Sequence, residues 1–107
     1  MPHYLVQAAY STEALAALKK NPQNRFEMIE SLLRSLGGRL EAGYFCFGEY
    51  DVVMIVEMPD NTAVAGLAIG VAGSGALKAM RTTPLLTAEE GVGAMQAAGQ
   101  LDYQPPA

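Results

Sequence analysis

Cysteine is almost missing from this chain: Cys46 stands alone, so there can be no internal disulfide and no cysteine-based metal site. A reducing compartment is the expected setting. Basic residues are scarce too, since seven Lys and Arg, scattered along the chain, face eleven Asp and Glu for a formal net charge of −4. Phosphate backbones are gripped by clustered cations, so nucleic acid is not an expected partner. One histidine, His3, completes no metal-ligand set within a single chain, and neither a metal nor another cofactor is expected. The N-terminal residues MPHYLVQAAY lack the basic start and long apolar centre of a secretory signal, which points to a cytoplasmic protein. The charge-free run Asn61 to Leu77 reaches only the lower length limit of a membrane span. It contains Gly66, Gly70, Gly73 and Gly75 and follows a Pro59-Asp60 helix start, so it reads as a buried helix of a soluble domain.

What is present points to a folded core. Half of the 107 residues are hydrophobic and 17% are charged, far from the composition that keeps chains disordered. The length suits one domain, taken as residues 1–103 with a frayed tail over 104–107. His3 to Tyr10 reads as a strand, and Ser11-Thr12 opens a helix that must break at Asn21-Pro22. Asn21 as cap and Pro22 at the first helical position would restart it, with Phe26, Ile29, Leu32 or Leu33 and Leu36 on the inner face. Glu30 and Arg34 are spaced to pair on the outer face, and Gly37-Gly38 ends the helix. Arg39 to Phe47 and Tyr50 to Met58 read as strands joined by a tight turn at Gly48-Glu49. Asp60 caps a Gly/Ala-rich helix to about Ser74, and Ala76 to Thr83 is the fourth strand. Thr87 and Glu90 form a capping box that opens a short terminal helix. The order βαββαβ plus a short helix is the α+β, ferredoxin-like arrangement, with strands 1 and 3 central in a four-stranded antiparallel sheet and both long helices on one face.

The segment FCFGEYDVVMIVEMPD then carries the argument toward assembly. Side chains alternate along a strand, so Val52, Met54, Val56 and Met58 suit the face under the helices. Asp51, Val53, Ile55 and Glu57 form the opposite set, apolar in the middle and ionic at both ends. Leaving a large aliphatic side chain in water forgoes about 1.5–3 kcal/mol, against a total domain stability of about 5–15 kcal/mol. The simplest cover is a second copy, giving a dimeric α/β barrel or a higher homo-oligomer, with a pocket between the sheets. Topology would bring His3, Glu57 and Arg81 to one pole, and Tyr10, the Gly48 to Asp51 turn and Lys78 to the other. A two-residue turn would pair Tyr44 with Val53, and a three-residue turn would pair Phe45 with it.

Each candidate group has a plainer reading. Tyr50 and Asp51 suit proton transfer at a cavity mouth, yet a carboxylate beside a turn glycine commonly bonds nearby amides while the tyrosine packs. His3 with Glu57 and Arg81 suits acid–base work, and equally a rim ion-pair network. Cys46 between aromatic neighbours reads as a buried small hydrophobe. The GVAGSG stretch, Gly70 to Gly75, lacks the Lys-Ser/Thr of a phosphate loop and follows no strand. Gly66, Gly70 and Gly73 would instead allow close packing, and Met54, Met58, Met80 and Met95 would fill the core.

GEYDVVMIVEMPDNTAVAGLAI followed by AMRTTPLLTAEE, with YLVQAAYSTEAL and LGGRLEAGYFCFGEYD before them, resembles the GYD domain family. The family's signature stands here as Gly48-Glu49-Tyr50-Asp51. The resemblance implies a ferredoxin-like subunit of a dimeric α/β barrel whose function is uncharacterised, and it implies no catalytic residues. The same hairpin resembles the effector-binding domains of leucine-responsive transcription regulators, which bind small molecules between subunits; without a helix-turn-helix in these 107 residues, a regulator function is not the expectation. Three functions follow as expectations. The first is an oligomeric barrel protein binding a small apolar or amphipathic molecule between its sheets, with His3, Tyr10, Tyr50, Asp51, Glu57 and Arg81 as candidate ligand contacts. The second is a cofactor-independent oxygenase, isomerase or lyase. The third is an assembly subunit with a filled interior.

Overall fold

In the computed structural model, which describes every residue from Met1 to Ala107, the aromatic-flanked stretch His3–Tyr10 forms strand β1 and leads into helix α1, Thr12–Lys20. The Ser11 hydroxyl accepts from the Ala14 amide and satisfies one donor that a helix start leaves free. The break ahead of Pro22 occurs as the sequence requires, but Pro22 does not open the next helix. Helix α2 runs Phe26–Ser35, and Asn24 rather than Asn21 supplies the side-chain oxygen at its start, accepting from the Phe26 amide at 3.0 Å. The later start sets the Phe26 ring against Phe45, with centroids 4.9 Å apart. Leu33 is the fully buried member of the α2 face, whereas Leu32 and Leu36 remain partly in water. Gly37, at φ 82°, supplies the left-handed residue that ends the helix.

Strands β2, Arg39–Phe45, and β3, Val52–Glu57, are shorter than the sequence pattern suggests. Tyr44 pairs with Val53 and Phe45 with Val52, the register of a two-residue turn centred on Gly48-Glu49. The ladder frays early all the same: beyond Phe45 the pairing continues through the Cys46 amide, which donates to the Asp51 carbonyl at 2.8 Å, and Gly48 takes φ 127°. A register shift between Leu40 and Ala42 places a bulge at Glu41. Asp60 caps helix α3, Asn61–Ala72, its side chain accepting from the Ala63 amide. Strand β4, Leu77–Leu85, extends past the expected Thr83 and contains Pro84. An edge strand tolerates proline because the missing amide faces no ladder partner. Helix α4, Ala88–Gly99, opens with the reciprocal Thr87 and Glu90 capping box.

The sheet order is β2-β3-β1-β4, antiparallel throughout, with β1 and β3 in the middle as topology demands. It is open, with β2 and β4 as edges. Tyr4, Val6, Val52, Met54, Val56 and Met58 face the helices and are buried with Leu33, Val64 and Leu67. Cross-strand partners share a face, so His3, Leu5, Gln7, Val53, Ile55 and Glu57 occupy the helix-free side, joined by Tyr44 of β2 and Arg81 of β4.

Helix α4 does not join this body. It packs substantially against no other element, and Met95, expected in the core, is 73% exposed. The chain accordingly spans 57 × 35 × 22 Å with a radius of gyration of 17.1 Å, where a compact domain of this length has about 13 Å. Its accessible surface is 7495 Å², against roughly 5,700 Å² for a compact monomer of this mass.

Candidate functional site

Polar groups converge at the pole where β1 begins. His3 Nε2 lies 2.9 Å from Glu57 Oε1 and 3.3 Å from Glu41 Oε2. The other Glu57 oxygen accepts from the Arg39 guanidinium. That hydrogen bond, aided by the cationic charge and opposed by desolvation, holds the Glu57 carboxyl below the usual carboxylate range. Two expected partners are thus joined and one is replaced. Arg81 sits opposite Gln7, four positions from Leu85, which is the β4 residue opposite His3; at about 3.3 Å per strand residue that places it roughly 13 Å away along the strand. The longer course of β4 moves Arg81 to the middle of the helix-free face. Arg39 and the bulged Glu41 take its place, and a bulge is what re-aims a side chain that strict alternation would send elsewhere. One imidazole nitrogen and two carboxylate oxygens lie within 4.8 Å of one another, a donor set that suits a divalent cation, with Arg39 competing for Glu57.

The opposite pole joins Tyr10 to Asp51. One Asp51 carboxylate oxygen accepts from the Tyr10 amide at 2.9 Å, and the Asp51 amide donates to the Ala8 carbonyl at 2.8 Å. Asp51 therefore stitches the β2–β3 hairpin to β1 just beyond the last β1–β3 pair, Ala8 and Val52. Tyr50 is half-buried, and its carbonyl accepts from the Cys46 thiol at 3.2 Å. Cys46 itself is exposed, contrary to its reading as a buried hydrophobe: it follows edge strand β2 at its open end, where Tyr44, Phe45 and Phe47 are exposed too.

The helix side holds a feature that sequence reasoning missed. A cavity of about 440 Å³ opens between α2, α3 and the sheet, floored by Val6, Ala8 and Met54 and walled by Ile29 and Leu67. Arg25 is its charged group, and the Tyr10 ring also lines it. Burial raises the Tyr10 phenol pKa, the Arg25 cation offsets part of that, and Asp51 adds to it. Gly66 and Gly70 also line the cavity, and a Cβ at either would meet nothing within 4 Å. They do not serve close packing; their missing side chains help to hold the groove open. Their spacing on one face of α3 was the available signal.

Comparison with known proteins agrees with this architecture. The GYD domain family model matches residues 4–95. A protein of Thermus thermophilus, the glutamine synthetase and cystathionine beta-lyase binding protein, is 34% identical over 80 residues, covering 75% of this chain and 84% of its own length. Among solved structures, FFRP-DM1 superposes with a TM-score of 0.53 at 15% identity, over 80% of this chain and 100% of that one. Hypothetical protein PHS023 from Pyrococcus horikoshii gives 0.51 at 11% identity, over 81% of this chain and 92% of that one. At such identities the structural matches speak for the fold alone.

Proposed function

This chain belongs to the GYD domain family, and from that premise we propose that it is a self-associating binding subunit. Two copies join through their helix-free sheet faces into a dimeric α/β barrel, and the assembly binds protein partners. The carrying observation is the helix-free sheet face, against which no helix of the chain packs substantially. Val53 and Ile55 lie at the centre of the uncovered face, with the ionic group of His3, Arg39, Glu41 and Glu57 at its rim.

The relative's name supplies the partner class: metabolic enzymes, with glutamine synthetase and cystathionine beta-lyase first to try. In the paired state His3, Glu57 and Arg81 would face the interior between the sheets, where a small ligand is the further possibility. The cytoplasm suits this role, since the exposed Cys46 thiol stays reduced there. The test is native mass spectrometry of the purified chain, alone and with each of the two enzymes from the same cell. A dimer or larger assembly that forms a discrete complex with either enzyme supports the proposal; a monomer that ignores both enzymes ends it.

The groove between α2 and α3 favours a second reading, capture of a small amphipathic molecule whose anionic group meets Arg25. Loss of retained ligand mass in an Arg25→Glu variant would support it.

A further inference from the structure

We propose that the C-terminal arm, Leu86 to Ala107, is an exchange segment that packs on a second copy of the chain. The inference rests on the self-association proposed above and names a segment of the chain that helps to secure it.

The arm is poorly suited to life in water. Leu86, Val92, Met95, Leu101 and Tyr103 are all more than half exposed, and Val92 and Met95 are spaced three apart on one side of α4. Its start is nonetheless built: the Thr87 hydroxyl accepts from the Glu90 amide and the Glu90 carboxylate accepts from the Thr87 amide. A helix of twelve residues with little packing of its own is marginal in water, because helices this short draw their stability from a buried face. A segment that keeps both a defined start and an apolar stripe is therefore one with a docking place.

That place is not on its own body. The arm leaves β4 at the pole where β1 begins, and α4 packs substantially against no other element of a chain whose longest extent is 57 Å. The exposed aromatics Phe45 and Phe47 and most of the α2–α3 cavity belong to the other end of the sheet. In a pair joined through the helix-free faces, edge strand β4 borders the seam, so an arm extending from it reaches the other copy. Charge fits a seat on another molecule: residues beyond Arg81 carry Glu89, Glu90 and Asp102 and no Lys or Arg. Area agrees as well, since the excess surface is about twice what a standard interface takes from one partner, and one sheet face alone need not account for it.

The experiment uses the full chain with Val92→Glu and Met95→Glu together, beside Ile55→Asp and the parent. Both arm residues are exposed in the single chain, so unchanged circular dichroism is required of the variant before it is scored. In sedimentation over a range of concentrations the arm variant should dissociate at least tenfold more readily than the parent. As a second reading, a nitroxide on Met95→Cys in a Cys46→Ser background, mixed with isotope-labelled parent, should broaden amides of the labelled copy. An assembling parent with an unshifted arm variant and no broadening overturns the arm proposal and leaves the sheet-face pairing standing. A monomeric parent overturns both. Unchanged assembly with weakened glutamine synthetase binding assigns the arm to the enzyme instead, and equally overturns it.

Discussion

Replacing Ile55 by Asp strikes the middle of the helix-free face. Ile55 pairs with Leu5 on one side and Ala42 on the other, and Thr83 completes the row through Leu5. Within the single chain the residue is half-buried, so the substitution should cost about 1 kcal/mol of folding stability, the range of strand context effects. Association is affected much more. Each copy loses the burial that association adds to a half-buried aliphatic, about half of the roughly 1.5–3 kcal/mol of full burial, and two-fold symmetry counts that loss twice. The sum of about 1.5–3 kcal/mol corresponds to a dissociation constant weakened roughly 10- to 10²-fold, before the cost of burying two unpaired carboxylates is added. Sedimentation equilibrium read beside a thermal melt separates the two effects. A variant that melts within a few degrees of the parent and runs as a monomer at micromolar concentration fits the reasoning. Unchanged mass over the whole range would mean that this face is not the interface.

Four further outcomes follow, three from packing and one from an ion pair. Leu33→Ala deletes the fully buried anchor of α2 and should lower the free energy of unfolding by about 2–5 kcal/mol in urea titration. Gly70→Ala adds a methyl group into open space within α3 and should raise stability by about 0.5–1 kcal/mol, because a helical glycine costs that much backbone entropy. Gly43→Ala should do the reverse, since its Cβ would stand 2.7 Å from the Phe26 ring. The Glu57 carboxyl, held low chiefly by Arg39, contributes stability above its unfolded value of about 4.3 and loses it as pH falls through its folded value. Acid melts of the parent should therefore fall more steeply than those of Glu57→Gln, and a parallel course for the two would count against the pairing.

The fold was legible because its signals are local. Period-two alternation in β3, the Ser11, Asp60 and Thr87 caps and the Asn21-Pro22 break each depend on residues a few positions apart. Together they determined the element order and, through handedness, the strand order. Misreadings came where a distant contact overrode local preference. Helix α2 starts at Phe26 rather than Pro22, where the ring can meet Phe45 across the structure. Strand β4 runs through Pro84 because it lies at an edge, a fact of the assembled sheet rather than of the segment.

The candidate sites divide along the same line. His3 and Glu57 were recoverable together, since antiparallel register places the start of β1 opposite the end of β3. Glu41 and Arg39 were not, because the bulge that brings Glu41 to His3 leaves no mark in strand periodicity. The groove beneath α2 and α3 was hidden for a different reason. A cavity is defined by side chains that are missing, and Gly66 and Gly70 read equally well as devices for close approach or for open space. Distinguishing the two needs the distance between α3 and whatever lies across from it. The same reasoning applies to the helix-free face and to α4: a sequence shows that a surface is apolar, and only the shape of the folded chain shows that nothing in the chain covers it. Large apolar side chains such as Phe47, Ile69 and Met95 find no cover within a single copy.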